Sequence, residues 1–214
     1  MIEAVFWDND GVLVDTEPLY FEATREVFSS IGIALTEDDY IDLFLVQGRG
    51  AWHLAEARGV QPSEIARLRD ARNALYTARI AEGSHVVDGV AGVLDGLHGK
   101  HTMGVVTTCQ RPHFDVIHRQ TGLLKYFDFV LTHGDYARTK PHPDPYLAAV
   151  ARSAADPGTC VAIEDSSRGL AAAKAAGIRC LVVPNLLTRR SDFSAADAVL
   201  ASVREIPAAL EALP

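Results

Sequence analysis

The side chains best suited to chemistry in this chain are carboxylates, hydroxyls and one lysine, and most of them directly follow short apolar runs. They are Asp8 and Asp10 after the first run, Thr107 and Thr108 after the second, Lys140 in a Lys-Pro loop, and Glu164 and Asp165 after a later run. Carboxylates without neighbouring cysteine or histidine ligands favour a hard cation, of which Mg²⁺ is the simplest. Mg²⁺ beside a lysine and hydroxyls suits phosphoryl transfer, because the charge on the phosphoryl group must be neutralised.

The two aspartates of the first segment suggest a division of labour. A carboxylate beside a metal ion can attack phosphorus and form an aspartyl-phosphate, which water then hydrolyses. A second carboxylate can act as general acid and base. Two carboxylates about 4 Å apart repel by about 4 kcal/mol at an effective dielectric near 20, so the cluster needs a cation. We therefore assign Asp8 as nucleophile and Asp10 as acid and base.

Each of these features also has a purely structural explanation. The segment 8–11, Asp-Asn-Asp-Gly, is typical of a β-hairpin turn. It also partly matches a calcium loop, but Leu13 stands where that loop needs glycine, which excludes the match. Glu164 and Asp165 also suit the first turn of a helix, Thr107 suits an ST-turn, and a single loop lysine such as Lys140 is usually solvated. Their shared placement at strand ends favours a site.

The elements that must position these residues alternate between strand and helix. Strands are predicted over residues 2–7, 103–107, 127–131, 159–163 and 178–183, and helices over 90–98, 111–121, 144–153 and 166–176. Such alternation predicts right-handed crossovers and a doubly wound parallel sheet. Ligands of open parallel sheets bind beyond the carboxyl ends of the strands. The predicted topology therefore brings the candidate residues to one edge.

The segment 17–82 has helical periodicity throughout and predicts an insertion after the first strand. Thr36 precedes three acidic residues and is typical of an N-cap, Pro62 predicts a second helix start, and Gly83 a stop. We expect an α/β core of residues 1–16 and 83–214 and an inserted α-helical cap of residues 17–82.

Composition excludes several function classes. The 214 residues carry 28 acidic and 20 basic side chains, a net charge of −8, which disfavours nucleic acid and anionic membranes as partners. Three widely spaced cysteines imply neither a zinc site nor a disulfide framework. The first ten residues lack the basic segment of a signal peptide, and no apolar stretch reaches about 18 residues. We expect a soluble cytoplasmic protein, as a monomer or weak dimer.

Four short motifs, taken in order, resemble those of the haloacid dehalogenase superfamily of hydrolases. They are residues 8–17, Thr107, Lys140-Pro141, and Glu164-Asp165-Ser166 with Gly169 and 175–177. The likeness covers essentially the whole chain and is greatest to the subfamily with phosphoglycolate phosphatase and β-phosphoglucomutase. It implies a Rossmann-like core with a helical cap, and a Mg²⁺-dependent phosphatase of a small phosphorylated metabolite, which we expect to be a sugar phosphate.

The resemblance also implies roles for individual residues. Mg²⁺ is expected on Asp8, the Asp10 backbone carbonyl, Asp165 and, through water, Glu164; the phosphoryl group on Thr107, Lys140 and the backbone amides of Asn9 and Thr108. Because the dehalogenases lack an acid at the position of Asp10, its presence favours phosphate-ester chemistry. Asn9 departs from the pattern, since an apolar residue is commoner there; its side chain either faces the site or caps the turn.

The choice between phosphatase and mutase depends on cations for a second phosphate. In the β-phosphoglucomutase pattern, an arginine and a lysine stand where this chain has Ala51 and Gln110. Arg49 and Arg111 lie one or two positions away and are predicted to contact substrate phosphate. The missing cations favour a phosphatase, with a phosphosugar mutase as the alternative. A non-catalytic phosphoacceptor module of the receiver type is a third hypothesis, although receivers are about half this length.

Overall fold

A computed structural model describes residues 1–213, which divide into two compact units. The first unit comprises Met1–Asp15 and the chain from His85 onward, and the second comprises Thr16–Ser84. The second unit is inserted directly after the first strand and turn of the first. Its predicted role as a cap stays a prediction.

The first unit is built on a parallel sheet of six strands. They are β1 (Ala4–Trp7), β2 (Thr102–Gln110), β3 (Phe129–His133), β4 (Cys160–Glu164), β5 (Arg179–Val182) and β6 (Ala198–Val199). Their spatial order is β3-β2-β1-β4-β5-β6, with every pairing parallel. Trp7, the last residue of β1, lies opposite Val105 of β2 and Ile163 of β4. The predicted doubly wound parallel sheet is confirmed, and the residues after β1, β2 and β4 share one edge.

Nine α-helices are described in the chain. They are α1 (Glu17–Ser30), α2 (Glu37–Tyr40), α3 (Trp52–Glu56), α4 (Pro62–Ile80), α5 (Val90–Leu97), α6 (Arg111–His118), α7 (Asp144–Ser153), α8 (Ser167–Ala175) and α9 (Ile206–Ala212). Helices α5–α9 belong to the first unit. Side chains of β1 alternate between two apolar layers, with Val5 and Trp7 in one and Ala4 and Phe6 in the other. This alternation is the period of a strand, and burial on both faces explains why its sequence is apolar throughout.

The second unit is helical, as predicted, with a π-helical turn at Ile41–Val46 between α2 and α3. The Thr36 hydroxyl accepts from the Asp39 amide, and the Asp39 carboxylate accepts from the Thr36 amide, which forms a capping box at the start of α2. Phe28, Tyr40 and Trp52 are buried in its own apolar core. No helix in residues 1–213 is both long and apolar enough to cross a bilayer.

The sequence prediction missed elements at two places. β6 and α9 were not predicted, because the two-residue β6 is too short for an alternation pattern and α9 is barely two turns long. β2 extends to Gln110, beyond the predicted end at 107, with an irregular register between Val106 and Gln110. This irregular stretch carries the two candidate threonines.

Candidate active site

Asp8 is the first residue beyond β1 and lies at the centre of the carboxyl edge. Its amide donates to the Ile163 carbonyl at 2.9 Å, so the parallel pairing with β4 continues one residue past the strand. Gly11 then turns the chain with φ +87°, a conformation that L side chains rarely adopt. The tight turn leaves Asp8 buried, at 9% exposed, with its carboxylate aimed at the neighbouring strand ends.

Lys140 connects three strand ends through its ammonium group. Nζ donates to Asp8 Oδ1 at 2.9 Å, to the Val106 carbonyl at 2.8 Å and to Glu164 Oε1 at 2.6 Å. The side chain is 4% exposed, and all three N–H donors have partners. The lysine is therefore a fixed, desolvated cation between two carboxylates, and the alternative of a solvated loop lysine is wrong.

Glu164 is completely buried at the end of β4. Besides Lys140, its Oε1 accepts from the Tyr146 hydroxyl at 2.5 Å, and its Oε2 accepts from the Ser166 hydroxyl at 3.3 Å. A Cβ on Gly169 would lie 1.9 Å from the Glu164 carboxylate, so only glycine leaves room for this side chain. Three donors, the Lys140 ammonium and the hydroxyls of Tyr146 and Ser166, therefore fix the orientation of this carboxylate.

Asp165 lies against the turn that follows β1, next to Gly11. Its Oδ2 accepts from Asn185 Nδ2 at 2.7 Å, and a Cβ on Gly11 would lie 2.3 Å from the same oxygen. Asn185 is held by its own backbone turn, since its Oδ1 accepts from the Leu187 amide at 2.8 Å. The loop after β5 thus fixes the orientation of the Asp165 carboxylate.

Asp10 and Thr107 meet across the turn. The Thr107 hydroxyl lies 3.4 Å from Asp10 Oδ2 and accepts from the Cys109 amide at 3.0 Å. The Tyr136 hydroxyl donates to the Thr107 carbonyl at 2.6 Å and supports the irregular end of β2. Thr107 is therefore buried and oriented from two sides, whereas Thr108 is half-buried.

Asn9 points away from the two aspartates that flank it. Its side chain is fully buried, and its Oδ1 lies 2.7 Å from Nε2 of His118, at the end of α6. Three backbone amides of the turn, from residues 12–14, donate to the Asn9 carbonyl. The sequence left two orientations open, one that faces the site and one that caps the turn. The side chain adopts neither, because it contacts His118 of α6 instead.

The electrostatics of the cluster follow from burial and from the number of carboxylates. Burial raises the pKa of Asp8 to about 7, and the negative charges of Glu164 and Asp10 add to this rise, while Lys140 opposes it. The adjacent carboxylates of Asp8 and Glu164 raise the pKa of Lys140 despite its burial. Two or more carboxylates facing one lysine leave excess negative charge, which a cation would neutralise.

Three carboxylates lie close enough to share a metal ion. One oxygen from each of Asp8, Glu164 and Asp165 lies within 4.8 Å of the other two. This all-oxygen donor set is compatible with a divalent cation such as Mg²⁺. Because both Glu164 oxygens already accept hydrogen bonds, Asp8 and Asp165 are the better direct ligands, with Glu164 behind them.

The two arginines predicted to bind phosphate are both exposed. Arg111 pairs through Nε with Asp115 Oδ1 at 2.9 Å on the exposed side of α6, and its side chain is 59% exposed. Arg49 is exposed in the second unit. Their contact with substrate stays a prediction.

Several residues of the site carried no clear signal in the sequence. Tyr146 sits in the first turn of α7 and His118 at the end of α6, where aromatic and histidine residues are usually core or surface residues. Asn185 is the third residue beyond β5, so the convergence of strand ends that predicts Asp8 and Glu164 is a signal for Asn185 as well.

Comparisons with known proteins agree with this geometry. The sequence profile of the haloacid dehalogenase-like hydrolases matches residues 5–183. Protein CbbY from Cereibacter sphaeroides is 33% identical over 217 residues, covering 96% of this chain and 94% of that protein. The phosphorylated carbohydrates phosphatase of Thermotoga maritima is 36% identical over 184 residues, covering 83% and 82%.

Solved structures of related proteins have the same fold. The crystal structure of CbbY from Rhodobacter sphaeroides in complex with xylulose-(1,5)bisphosphate superimposes with a TM-score of 0.83 at 31% identity, covering 98% of this chain and 99% of that one. The predicted enzyme class is confirmed at the level of the superfamily, and phosphatase is the class named for the relatives. The chain belongs to the haloacid dehalogenase-like hydrolase family.

Proposed function

We propose that this protein is a Mg²⁺-dependent phosphatase that hydrolyses a small phosphorylated sugar through an aspartyl-phosphate on Asp8. The observation that carries the proposal is the position of the Asp8 carboxylate. It is buried just beyond β1 and accepts a hydrogen bond at 2.9 Å from Lys140, whose side chain is itself buried. A carboxylate fixed in this way is pre-oriented for attack, and its neighbouring cation reduces repulsion from an incoming phosphate.

Asp8 and Asp10 have different surroundings, which suits different roles. Asp8 faces Lys140 and Glu164, whereas Asp10 faces the Thr107 hydroxyl. In the proposed reaction, an Asp8 oxygen bonds to phosphorus while the ester oxygen leaves with the proton of Asp10. Asp10 then takes a proton from water, which attacks the aspartyl-phosphate and releases inorganic phosphate.

A bound divalent cation would neutralise the phosphoryl oxygens during both steps. Asp8, Asp165 and the backbone carbonyl of Asp10 are the residues we assign to it, with Glu164 acting through water. Lys140 and Thr107, with the amides of Asn9 and Thr108, are assigned to the phosphoryl group. Lys140 also donates to both the attacking carboxylate and Glu164, which reduces the repulsion between them.

The relatives support a substrate class. Proteins named as acting on phosphorylated carbohydrates, fructose-1-phosphate and hexitol phosphates are similar to this chain over at least four-fifths of its length, at 29–36% identity. A pentulose bisphosphate is bound in the structure of the CbbY relative. We therefore propose phosphorylated pentoses, hexoses and their reduced forms as substrates.

The decisive experiment is phosphate release from a panel of pentulose, hexose and hexitol phosphates and phosphoglycolate, with Mg²⁺ or with EDTA. The wild type is expected to release phosphate only with Mg²⁺. Asp8→Asn is expected to lose at least about a thousandfold in kcat while its unfolding transition is retained. Asp192→Asn is the matched control, because that aspartate is exposed and caps a local turn through the Ser194 amide.

Three outcomes would contradict the proposal. Normal turnover by Asp8→Asn would exclude an aspartyl-phosphate on that residue. Interconversion of sugar 1- and 6-phosphates on addition of a sugar bisphosphate, with little free phosphate, would instead establish the mutase. A stable phosphoprotein without turnover would favour the phosphoacceptor module.

A further inference from the structure

The buried pair of Asn9 and His118 is not explained by the proposed chemistry. Asn9 is the single residue between the two reactive aspartates, yet its side chain makes no hydrogen bond to either within the described residues. Its Oδ1 contacts His118 Nε2 at 2.7 Å, and its buried Nδ2 has no partner in residues 1–213. An unsatisfied buried donor is costly, so stability does not account for asparagine here.

His118 is itself held firmly. The ring is 6% exposed, its centroid lies 4.4 Å from the Phe114 ring, and Nδ1 lies 2.9 Å from the Thr121 hydroxyl. Thr121 in turn accepts from the Leu123 amide at 3.3 Å. The imidazole is therefore fixed at both nitrogens, and it connects the end of α6 to the turn that carries Asp8 and Asp10.

Successive side chains alternate in direction, so a hydrogen bond that fixes Asn9 also affects the orientation of Asp8 and Asp10. Asp8 and Asp10 face the carboxylate and threonine side of the turn, and Asn9 faces the opposite side. A rotation of the Asn9 backbone would therefore move both aspartates. Displacement of reacting groups by about 1 Å can cost about a hundredfold in rate.

We propose that His118 is a positioning residue, which acts through Asn9 to set the orientation of the Asp8–Asp10 turn for phosphoryl transfer. In this arrangement the neutral imidazole donates its Nε2 proton to Asn9 Oδ1, and Nδ1 accepts from the Thr121 hydroxyl. Burial lowers the pKa of His118 to about 4, so the ring keeps one proton across neutral pH. The part of this inference that concerns turnover rests on the proposed function.

The experiment is a double-mutant cycle with a conservative rescue. His118→Leu and Asn9→Leu are each expected to lower kcat about tenfold with KM changed less than about twofold, because each leaves its partner unpaired. The double variant is expected to be no worse than the single variants, since both polar groups are gone. His118→Gln retains a donor near the Nε2 position and is expected to restore most of kcat.

Ile117→Ala is the matched control. Ile117 precedes His118 on α6 and is 2% exposed, so its truncation destabilises the same helix while the His118–Asn9 hydrogen bond is retained. It is expected to lower the melting temperature at least as much as His118→Leu and to leave kcat unchanged. Losses that multiply in the double variant, or an unchanged kcat in His118→Leu, would overturn the inference.

A spectroscopic measurement tests the same inference without any turnover. Nitrogen-15 spectra of wild-type protein are expected to show His118 protonated on Nε2, and His118→Leu is expected to shift the amide resonances of Asp8 and Asp10, while Ile117→Ala is not. Unshifted Asp8 and Asp10 amides would refute the positioning role even if no substrate were found. Absence of phosphate release by the wild type, with these shifts present, would refute only the proposed function.

Discussion

Among residues 1–213, each unit buries one lysine or arginine side chain, and the two units accommodate the charge differently. Lys140 in the first unit is 4% exposed and Arg72 in the second is 7% exposed. Lys140 donates to two carboxylates and a carbonyl. The Arg72 guanidinium lies 4.4 Å from the centre of the Tyr20 ring and 5.9 Å from that of Trp52, and its Nε donates to the Asn73 side chain.

The difference shows which cation belongs to a cluster of buried carboxylates. Among residues 1–213 Arg72 has no carboxylate partner, so its neighbours lose packing and a cation–π contact if it is removed, but no charge is stranded. Lys140 joins residues from three strand ends, and its removal leaves two buried carboxylates facing each other. Such tightly coupled charges are costly to assemble and mark sites of chemistry more often than sites of stability.

The largest expected effect is that of Lys140→Met. We expect a loss of about 3–5 kcal/mol in the free energy of unfolding, because Asp8 and Glu164 lose their shared cation. We also expect kcat to fall about a thousandfold or more, because the attacking carboxylate loses its orientation. Urea unfolding and phosphate release measure the two effects separately.

Lys174→Met is the control for this variant. Lys174 pairs with Asp197 at 2.9 Å, but its side chain is 36% exposed, so the pair is worth less than about 1 kcal/mol. If Lys140→Met were as stable and active as Lys174→Met, the three-strand cluster would have no functional meaning.

The contrast between these cations also shows what sequence can predict. Asp8, Lys140, Glu164 and Asp165 were predicted because strand ends of a parallel sheet converge, and local patterns locate the strand ends. Arg72 has no such rule, since its burial depends on rings from α1 and α3 that are distant in sequence. The side chain of Asn9 was undecided for the same reason, because its partner lies more than a hundred residues away.

His118 shows a third way to bury a basic side chain, which is to keep it neutral. Its pKa is lowered to about 4 by burial, whereas an unfolded histidine titrates near 6.5. As the pH falls through this interval the unfolded chain binds the proton first, so stability present above pH 6.5 decreases by about 3 kcal/mol toward pH 4. Urea unfolding of wild type and His118→Gln between pH 7.5 and 4.5 should show a steeper loss for the wild type. Parallel curves would mean that His118 is not buried as a neutral ring.

Gly169→Ala moves Glu164 without removing any charge. The new Cβ would lie 1.9 Å from the Glu164 carboxylate, and we expect a loss of about 1–3 kcal/mol together with reduced kcat. Gly92→Ala in α5 meets no atom within 4 Å and should instead stabilise by about 0.5–1 kcal/mol. Equal behaviour of the two variants in thermal unfolding would show that Glu164 has room to move and that the lysine cluster is adaptable.

Arg72→Met is the direct counterpart of Lys140→Met, and its expected effect is smaller than those of Lys140→Met and Gly169→Ala. Methionine keeps most of the stem that packs on Tyr20 and Trp52, so the loss should be limited to the cation–π contact and the hydrogen bond to Asn73, about 1–2 kcal/mol. Urea unfolding of the wild type and of both variants measures the ratio of the two losses in unfolding free energy. If Arg72→Met lost as much unfolding free energy as Lys140→Met, the burial of the side chain would determine the loss, whatever its charged partners. A several-fold smaller loss would mean that the cost comes from stranded carboxylates, which within residues 1–213 are partners of Lys140 but not of Arg72.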